Sequence, residues 1–288
     1  MCSVPSPPLC GLVAWRRCRL LLWWRDIIRR YEGGFVSAHS KKYKRFSDRY
    51  FEPDPYIIDE FVRFAASQVH PSSLVLDAGS GRQQYKVYFN HAKYESTDIE
   101  PLPGSEHQFL CSLDKIPKPD NTYDTILCTQ TLEHVEFPQR VIDELYRVLK
   151  PSGMLFLTAP QGAAVHGAPY HFFNFTEFGL ASLFKRAGFE IDFIRPHGGC
   201  FLDLGKRILS LPRYLASQYR DRQLAPKISG RDRLCWAVLA ISLTLFKPIY
   251  RVFLPVIAYY LDSLDKRRHW TLGYSCFCRK PKLGPVTG

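Results

Sequence analysis

The sequence lacks any apolar run of the roughly 20 residues that a membrane-spanning helix needs. Near the start of the chain, the unbroken apolar run Leu20–Trp24 is short even for the core of a signal peptide. Acidic residues are also missing there, since none precedes Asp26. The short apolar runs argue against a transmembrane helix, whereas the lack of acidic residues is a feature of arginine-rich organelle transit peptides. The 288 residues are enough to bury a substantial core.

The nine cysteines are scattered without the spacing of a zinc site, and their number is odd. We therefore expect small, apolar, reduced cysteines, with no structural disulfide and no bound metal. Cys276 and Cys278 alternate along a predicted strand and should face the same side of a sheet. No nucleic-acid-binding motif stands out, so no nucleic-acid partner is expected.

The net charge of +12 is distributed unevenly. Residues 1–50 carry 11 Lys/Arg against 3 Asp/Glu, residues 51–196 carry 12 against 19, and residues 197–288 carry 16 against 5. The basic excess therefore lies in two flanks, which are also rich in Leu, Trp, Phe and Tyr. Such flanks are typical of contact with an anionic membrane surface, so we expect a cytoplasmic protein that is peripheral to a membrane.

The pattern over residues 15–31 predicts a helix with Leu, Trp and Ile on one broad face and arginines around it. We interpret it as an amphipathic helix that lies in the membrane interface. Two alternatives stay open, namely a helix packed on the protein's own core and an arginine-rich organelle transit peptide. With the polar, basic and aromatic linker over residues 33–52, this helix forms a predicted extension, residues 1–52.

The run Ser73–Gly81 organises the centre of the chain. Its apolar residues predict a parallel strand that is buried on both faces, and Asp77 follows them directly. Gly79 and Gly81 let the backbone turn tightly and pass close to a ligand, because neither has a Cβ atom. About twenty residues later, Asp98 ends a second predicted strand, where a carboxylate can accept hydrogen bonds from ribose hydroxyls. The loop lacks the third glycine of the dinucleotide motif G-x-G-x-x-G, which disfavours a pyrophosphate cradle.

Strands and helices are predicted to alternate around this motif. A helix over residues 54–69 should begin at Asp54 as its N-cap. Its expected buried face consists of Ile57, Ile58, Phe61, Val62 and Phe64. Another helix over residues 83–90 should point its free amides into the crevice beside the glycine turn. Further strands are expected over residues 93–99, 107–111, 124–128, 154–158, 189–195 and 272–280, with helices over 138–150 and 177–187.

Four ordered motifs between residues 73 and 196 resemble those of class I S-adenosylmethionine (SAM) methyltransferases. The glycine turn and Asp98 are two of them. They are followed by the strand Pro119–Cys128 with its loop Gln130–Val135, and by the helix and turn Glu144–Gly153. The resemblance implies an α/β fold with a Rossmann-like, seven-stranded, doubly wound sheet, and SAM as the cofactor. It also implies a SAM-binding core over residues 53–196.

The resemblance further implies a role for each cofactor-binding residue. Asp98 would bind the ribose, and the loop with Asp77, Gly79 and Gly81 would bind the methionine end. The cofactor-binding candidates are Asp77, Gly79, Gly81, Asp98, Ile99, Leu113, Asp114 and Gln130, of which Ile99, Leu113 and Asp114 would line the adenine slot. Many relatives have an aspartate directly after the third strand, whereas this chain has Ser112 there and Asp114 two residues later.

A loop over residues 159–176, after the fifth predicted strand, is dense in histidine and aromatic residues. A hydroxyl acceptor would benefit from a general base, and the catalytic candidates are His134, His166 and His171. His134 could instead shape its loop, and the other two histidines could be structural or simply exposed. For Phe172, Phe173 and Phe175, a place in the core is favoured over a platform for the acceptor.

About 75 residues separate the last two predicted strands, where the family normally has a short connection. Two apolar runs, Leu234–Phe246 and Val252–Leu261, lie within them, and Lys247-Pro248 separates the two. We interpret residues 197–271 as a helical lid or a membrane-dipping hairpin, with an ordinary buried helical insertion as the alternative. Residues 272–288 form the predicted final strand and tail.

The segment from Ala159 to Gly199 is similar to bacterial methyltransferases of cell-surface polysaccharide and glycolipid pathways. This similarity implies O-methylation of a sugar on a small-molecule or lipid-linked glycan acceptor near a membrane. Two other functions stay open. One is a nucleotide-sugar oxidoreductase on a related sheet, and the other is a non-catalytic SAM-fold scaffold whose flanks bind a membrane or a partner.

Overall fold

The computed structural model describes residues 47–220 and 229–282, so the predicted helix over residues 15–31 lies outside the described residues. Seven strands form one sheet in the order β3-β2-β1-β4-β5-β7-β6. β7 runs antiparallel to β5 and β6, and the other neighbouring strands are parallel. The strands are β1 (Leu74–Ala78), β2 (Lys93–Asp98), β3 (Phe109–Leu110), β4 (Tyr123–Thr129), β5 (Leu149–Pro160), β6 (Glu190–Pro196) and β7 (Gly273–Arg279). The predicted α/β class and the seven-stranded sheet are confirmed.

Helices cover both faces of this sheet. They are α1 (Asp48–Phe51), α2 (Pro53–Gln68), α3 (Pro138–Val148), α4 (Glu177–Ala187), α5 (Cys200–Arg220), α6 (Gly230–Leu245) and α7 (Leu254–Leu261). Among the described residues, three short 3₁₀ segments occur at Lys86–Phe89, Leu132–His134 and Asp262–Leu264, and a π-helical turn at Ile249–Phe253 leads into α7.

The alternation of side chains along the strands produces two hydrophobic cores. Leu76 belongs to one core and its neighbour Val75 to the other, so β1 is buried on both faces as predicted. Helices α3 and α4 cover the first core, and α2 covers the second. Cys276 and Cys278 both pack in the first core, which agrees with their predicted common face.

Helix α4 has the predicted bounds, and its two ends explain why the sequence defined them. The Thr176 Oγ1 accepts a hydrogen bond from the Gly179 N–H at 3.1 Å, which caps the first turn. Gly188 follows the last turn with φ +93°, a left-handed conformation that glycine adopts without a Cβ clash.

The predicted helix over residues 83–90 is wrong. Turns follow Gly81, and the only regular segment among these described residues is the 3₁₀ helix Lys86–Phe89. Gln83 has φ +56°, which a continuous α-helix does not allow, and its side chain bonds to Ser96 and to the Glu106 carbonyl. The loop is therefore held by a side-chain network instead of by helical hydrogen bonds.

The first helix of the core also differs from its prediction. Glu52, and not Asp54, is the N-cap of α2, because the helix already begins at Pro53. Ile58, Phe61 and Val62 are buried as expected, whereas Ile57 is only half-buried and Phe64 is 38% exposed.

Residues predicted as a linker include α1, and Tyr50 in that helix packs against Tyr259 with ring centroids 4.9 Å apart.

The long connection between β6 and β7 is helical, as predicted, and its two ends are held together. Asp262 accepts hydrogen bonds from the N–H groups of Gly199 and Leu202 at the start of α5. Asp265 accepts from the Cys200 N–H at 2.9 Å. Within the described residues, we find no helix with the length and hydropathy to cross a membrane.

Candidate active site

The turn after β1 is fixed by hydrogen bonds to β2 and by contact with the loop after β4. The N–H groups of Gly79 and Ser80 both donate to the Thr97 carbonyl, at 3.0 and 3.1 Å. Gly79 has φ +72°, and a Cβ there would lie 2.3–2.9 Å from the Thr131 side chain. Gly81 has φ +53° but faces open space, because a Cβ there would have no heavy atom of the described residues within 4 Å. The turn is therefore tightly packed at its first glycine and accessible at its second.

Asp77 is 1% exposed at the carboxyl end of β1. Its Oδ2 accepts a hydrogen bond of 2.5 Å from the Tyr94 hydroxyl, and its Oδ1 has no partner among the described residues. Burial raises the pKa of Asp77 to about 7, and the charge of Asp98 adds to that rise while the bond from Tyr94 opposes it. A buried carboxylate with an unpartnered oxygen would be stabilised by a positively charged ligand.

Asp98 joins the ends of β1 and β2. One carboxylate oxygen accepts a hydrogen bond from the Gly81 N–H at 2.8 Å, and the other accepts from the Ile99 N–H at 2.8 Å. Each carboxylate oxygen can accept a further bond, so both retain capacity for ligand hydroxyls. Asp98 therefore lies where the sequence predicted it, beside the glycine turn.

The other predicted cofactor residues have different environments. Ile99 is 73% exposed, and Asp114 is also exposed. Leu113 is buried in the first core. Gln130 has φ +49°, and both its backbone N–H and its side-chain amide donate to Thr158 at the end of β5.

Sequence reasoning missed several residues that hold the glycine turn. Tyr94, whose hydroxyl donates to Asp77, was not singled out. The side chain of Gln83 ties the turn to Ser96 and to the Glu106 backbone, and Thr131 donates to the Gly79 carbonyl at 3.2 Å. These partners are 13 to 52 residues apart in sequence, so local patterns carry no signal for them.

The three predicted catalytic histidines lie together. The ring centroids of His166 and His171 are 4.3 Å apart, and that of His134 lies 4.8 Å from His166 and 5.8 Å from His171. His134 belongs to the loop after β4, and the other two belong to the loop after β5. Neighbouring parallel strands bring these loops to the same edge of the sheet as the glycine turn. We refer to these three residues as the histidine cluster.

Hydrogen bonds to the backbone indicate which ring nitrogen of each histidine in the cluster carries the hydrogen and which carries the lone pair. His134 Nδ1 donates to the Tyr170 carbonyl at 2.5 Å, and His166 Nδ1 donates to the Ala164 carbonyl at 3.0 Å. Their Nε2 atoms therefore carry the lone pair when the rings are neutral. His171 has the opposite arrangement: its Nδ1 carries the lone pair, because it accepts a hydrogen bond from the backbone N–H of His166 at 3.3 Å. Burial lowers the pKa of His171, and the nearby His166 and His134 lower it further.

Glu133 lies directly under the histidine cluster and is completely buried. Within the described part of the chain, neither of its carboxylate oxygens has a hydrogen-bond partner. Burial raises the pKa of Glu133 to about 7. Its Oε1 lies 3.9 Å from His134 Nε2. Glu133 had no predicted role beyond its place in the Gln130–Val135 motif.

The aromatic residues of the same loop divide between two environments. Phe175 is buried in the first core, as favoured. Phe172 and Phe173 are exposed instead, and their N–H groups both donate to the Glu133 carbonyl. These backbone bonds hold the loop after β5 against the loop after β4.

Comparison with known proteins agrees with this arrangement. A family model described as a methyltransferase domain matches residues 76–157, which include the glycine turn and Asp98. An uncharacterised methyltransferase of Mycolicibacterium gilvum is 27% identical over 114 residues, which are 35% of this chain and 45% of the relative. A Mycolicibacterium smegmatis protein described as a probable SAM-dependent methyltransferase is 28% identical over 87 residues, or 28% of this chain and 34% of the relative. The matches thus span less than half the length of these two curated relatives.

Two solved structures share the fold. One is a Galdieria sulphuraria protein described as a sarcosine dimethylglycine methyltransferase, with TM-score 0.51 and 16% identity, covering 90% of this chain and 99% of that one. The other is the (4+2)-cyclase SpnF, with TM-score 0.50 and 17% identity, covering 92% and 95%. At these identities the likeness concerns the fold alone.

The residues at the end of β1 and β2 fit SAM in two respects. The unpartnered oxygen of buried Asp77 offers a partner for a cationic ligand, and the open space at Gly81 lets a ligand approach the backbone. By its fold and by these matches, the chain carries a class I SAM-dependent methyltransferase domain, with SAM as its cofactor.

Proposed function

We propose that this chain is an O-methyltransferase whose acceptor is a sugar hydroxyl on a small molecule or on a lipid-linked glycan. The observation that carries the proposal is the convergence of two groups of residues at one edge of the sheet. The glycine turn and Asp98 end β1 and β2, and the histidine cluster lies on the loops after β4 and β5. Donor and acceptor sites at one crevice are what a transfer reaction requires.

The cofactor residues have distinct roles in this proposal. SAM, when bound, supplies a methyl group on a sulfonium, which is already activated for transfer. Asp98 accepts hydrogen bonds from the ribose. Asp77 holds the cationic group of the methionine end, which the open backbone at Gly81 lets approach the turn. The remaining contacts, near the adenine and along the loop after β4, come from Ile99, Leu113, Asp114 and Gln130.

The histidine cluster would receive the proton of the acceptor. Methyl transfer to a hydroxyl forms a carbon–oxygen bond, breaks the methyl–sulfur bond and releases a proton to a base. His134 and His166 have the suitable tautomer, because their Nε2 lone pairs are free when Nδ1 donates to the backbone. His171 has its lone pair occupied by the His166 N–H, so its role would be to position the other two rings.

A membrane location is supported by an apolar stripe on the helical insertion. Leu234, Val238, Ile241 and Leu245 follow one another at helical spacing along α6, and all are more than half exposed. Exposed apolar residues continue toward α7 at Phe246, Ile249, Phe253 and Ile257. Contiguous exposed apolar residues on this scale mark an interaction surface.

An anionic membrane surface is the occupant that we propose for this stripe. Residues 197–288 carry 16 Lys/Arg against 5 Asp/Glu, and Arg231, Lys247 and Arg251 lie among the apolar residues. Basic residues beside an apolar helix face are typical of binding in the plane of a membrane. A lipid-linked acceptor would reach the enzyme at that surface.

Vesicle flotation tests the membrane contact. The full chain should float with vesicles that contain phosphatidylserine and should float less with phosphatidylcholine alone. Ile241→Asp should abolish flotation, whereas the matched change Ser242→Asp, one residue on, should preserve it. Equal flotation of both variants, or a dimer that Ile241→Asp dissociates, would assign the stripe to another occupant.

Calorimetric titration with SAM and then with NAD tests the enzyme class. We expect micromolar SAM binding and no NAD binding. NAD binding in place of SAM would favour the oxidoreductase, and SAM binding without turnover on any acceptor would favour the scaffold.

A transfer assay with methyl-labelled SAM tests the acceptor class. Sugars, lipid-linked glycans and thiols should be compared, since a thiol S-methyltransferase of Rattus norvegicus, TMT1B, is 42% identical over 48 residues, 15% of this chain and 20% of that one. Label on a thiol and not on a sugar would overturn the proposed acceptor.

A further inference from the structure

The histidine cluster and Glu133 form a set of ligands that the methyl-transfer proposal does not fully use. One ligand atom each from Glu133, His134 and His166 lies within 4.8 Å of the others. The shortest measured separation among them joins Glu133 Oε1 and His134 Nε2, at 3.9 Å. The three residues come from two loops that are joined by backbone hydrogen bonds from Phe172 and Phe173 to the Glu133 carbonyl.

The tautomers of the two histidines are those of metal ligands. In both rings Nδ1 donates to a backbone carbonyl, of Tyr170 or of Ala164, so that Nε2 presents its lone pair. Metal-binding histidines in proteins have this arrangement, in which the second nitrogen donates to a carbonyl or carboxylate and orients the ring.

Glu133 supplies the independent observation. It is completely buried, and among the described residues neither carboxylate oxygen has a hydrogen-bond partner. An isolated buried carboxylate is unfavourable unless a proton neutralises it or a cation compensates for its charge. Among the described residues, the ion-pair partner of Glu133 is His134, at 3.9 Å, and no lysine or arginine compensates its charge. A bound metal ion would compensate this charge and give one of the two oxygens a partner.

From these three observations we infer that Glu133, His134 and His166 bind a divalent transition-metal ion, with zinc as the first candidate. Two imidazoles and a carboxylate are a ligand set that zinc adopts when a further coordination position stays open. Zinc bonds of about 2.0–2.2 Å at tetrahedral angles place ligand atoms roughly 3.3 Å apart. The present separations therefore require a movement of the order of 1 Å, which the exposed His166 can make.

The open position would bind the oxygen or sulfur of the acceptor and lower its pKa. This role rests on the proposed methyl transfer, and it replaces the histidine base, because the metal uses the same Nε2 lone pairs. The metal-bound acceptor would lose its proton to bulk water, and its oxygen or sulfur would then bond to the methyl carbon as the methyl–sulfur bond of SAM breaks. A metal ion at this site would contradict the sequence-based expectation that the chain binds no metal. That expectation followed from cysteine spacing, which carries no information on a site built from histidine and glutamate.

Zinc and cobalt binding by the full chain test the inference. After treatment with a chelator and its removal, the wild-type chain should take up one equivalent of Zn²⁺, measured by calorimetry and by elemental analysis. With Co²⁺ it should show the visible absorption of a low-symmetry site with nitrogen and oxygen ligands. His134→Ala, His166→Ala and Glu133→Gln should each weaken Zn²⁺ binding roughly tenfold or more.

The exposed His70, whose ring nitrogen bonds to Ser72, provides the matched control. His70→Ala should leave zinc affinity unchanged, and circular dichroism should show that every variant is folded. Zinc held by any of the nine cysteines would survive all three ligand substitutions, and that result would overturn the inference. So would the absence of zinc uptake by the folded wild-type chain.

A SAM titration of the same preparations separates this inference from the proposed function. SAM binding without zinc uptake would reject the metal and leave the histidine base. Failure to bind SAM, with zinc binding intact, would reject methyl transfer and keep the metal site.

Discussion

His197 Nδ1 lies 3.0 Å from Asp54 Oδ1, and this contact joins the start of α2 to the end of β6 across 143 residues of sequence. The other ring nitrogen of His197 lies 2.7 Å from the Ser275 hydroxyl on β7, and Lys206 Nζ on α5 donates to Asp54 Oδ2 at 3.1 Å. His197 and Ser275 are both buried, so this arrangement is a structural junction. It connects the core of the domain to the first helix of the insertion.

Acid should weaken this junction. Burial opposes the ionisation of Asp54, but its hydrogen bond from His197 and the charges of Lys206 and His197 outweigh burial and lower its pKa to about 2. A lowered pKa means that the carboxylate stabilises the fold above pH 3.8, and that this contribution, of about 2 kcal/mol, is lost as the pH falls toward 2. Urea unfolding should therefore show Asp54→Asn as destabilised at pH 6 but nearly equal to the wild type at pH 2.

Lys206→Met provides the control for that series, because it removes one charge and leaves the bond from His197. Its effect should be smaller than that of Asp54→Asn at pH 6. Free energies of unfolding for Asp54→Asn and wild type that run parallel from pH 6 to pH 2 would contradict the predicted origin of the stability.

The two glycines of the turn should respond differently to alanine. A Cβ at Gly79 would meet the Thr131 side chain at 2.3 Å, whereas one at Gly81 would meet open space. Gly79→Ala should therefore lower both the free energy of unfolding and the SAM affinity. Gly81→Ala should cost only the left-handed backbone strain of about 1–2 kcal/mol, yet weaken SAM binding if SAM passes the turn at this residue.

Gly104→Ala is the matched control for Gly81→Ala. Gly104 has φ +82° and equally open surroundings, but it lies between β2 and β3, away from the turn. Thermal unfolding should give similar losses for these two variants, and calorimetry should show weaker SAM binding for Gly81→Ala alone. Equal SAM affinities would place the cofactor elsewhere along the crevice.

The sequence predicted those parts of the molecule that depend on local chemistry. The buried apolar run of β1 and the stop of α4 at the left-handed Gly188 each have a local cause, and the structure has both as expected. The predicted helix after Gly81 failed because Gln83 bonds to Ser96 and Glu106, which are distant in sequence. A periodicity argument cannot include such partners.

The candidate site shows the same division. Histidine-rich loops and their position at the sheet edge followed from the sequence, whereas the tautomers depend on carbonyls such as that of Tyr170. Asp54 was expected to cap its helix, but His197 and Lys206 bind its carboxylate instead. Burial of Glu133 depends on how two loops fold over it, which no pattern of residues near position 133 indicates.

Asp77 should combine a functional benefit with a cost in stability. Burial raises its pKa to about 7, so the folded chain without ligand loses stability as the pH rises from about 4 toward 7. Asp77→Asn removes the buried charge and should therefore gain stability relative to the wild type as the pH rises, by an amount of the order of 1–3 kcal/mol at pH 8. Urea unfolding between pH 4 and pH 8 measures this difference.

The same substitution should weaken SAM binding at pH 8, because a neutral amide, unlike the carboxylate, cannot compensate the positive charge of the ligand. Tyr94→Phe is the companion variant, since it removes the bond to Asp77 and keeps the carboxyl. In the Tyr94→Phe variant, the rise in SAM affinity should therefore occur at a higher pH than in the wild type. A stability difference between Asp77→Asn and wild type that does not change with pH would show that Asp77 does not titrate in this range.

Asp98 should contribute to SAM binding through its charge as well as through the backbone that it holds. Asp98→Ala removes the acceptor for the ribose hydroxyls and for the N–H groups of Gly81 and Ile99. SAM affinity measured by calorimetry should fall by about 1–3 kcal/mol. Asp98→Asn retains one carbonyl acceptor, so its loss should be smaller than that of the alanine variant.

Glu100→Ala controls for the loss of negative charge in the same loop, because Glu100 is exposed and only two residues away. Its SAM affinity should equal that of the wild type, since exposed charges are screened by solvent and salt. If Asp98→Ala bound SAM as tightly as Glu100→Ala, the carboxylate would serve only to hold the glycine turn. The ribose would then have to bind elsewhere, and residues near the end of β2 would no longer define the cofactor site.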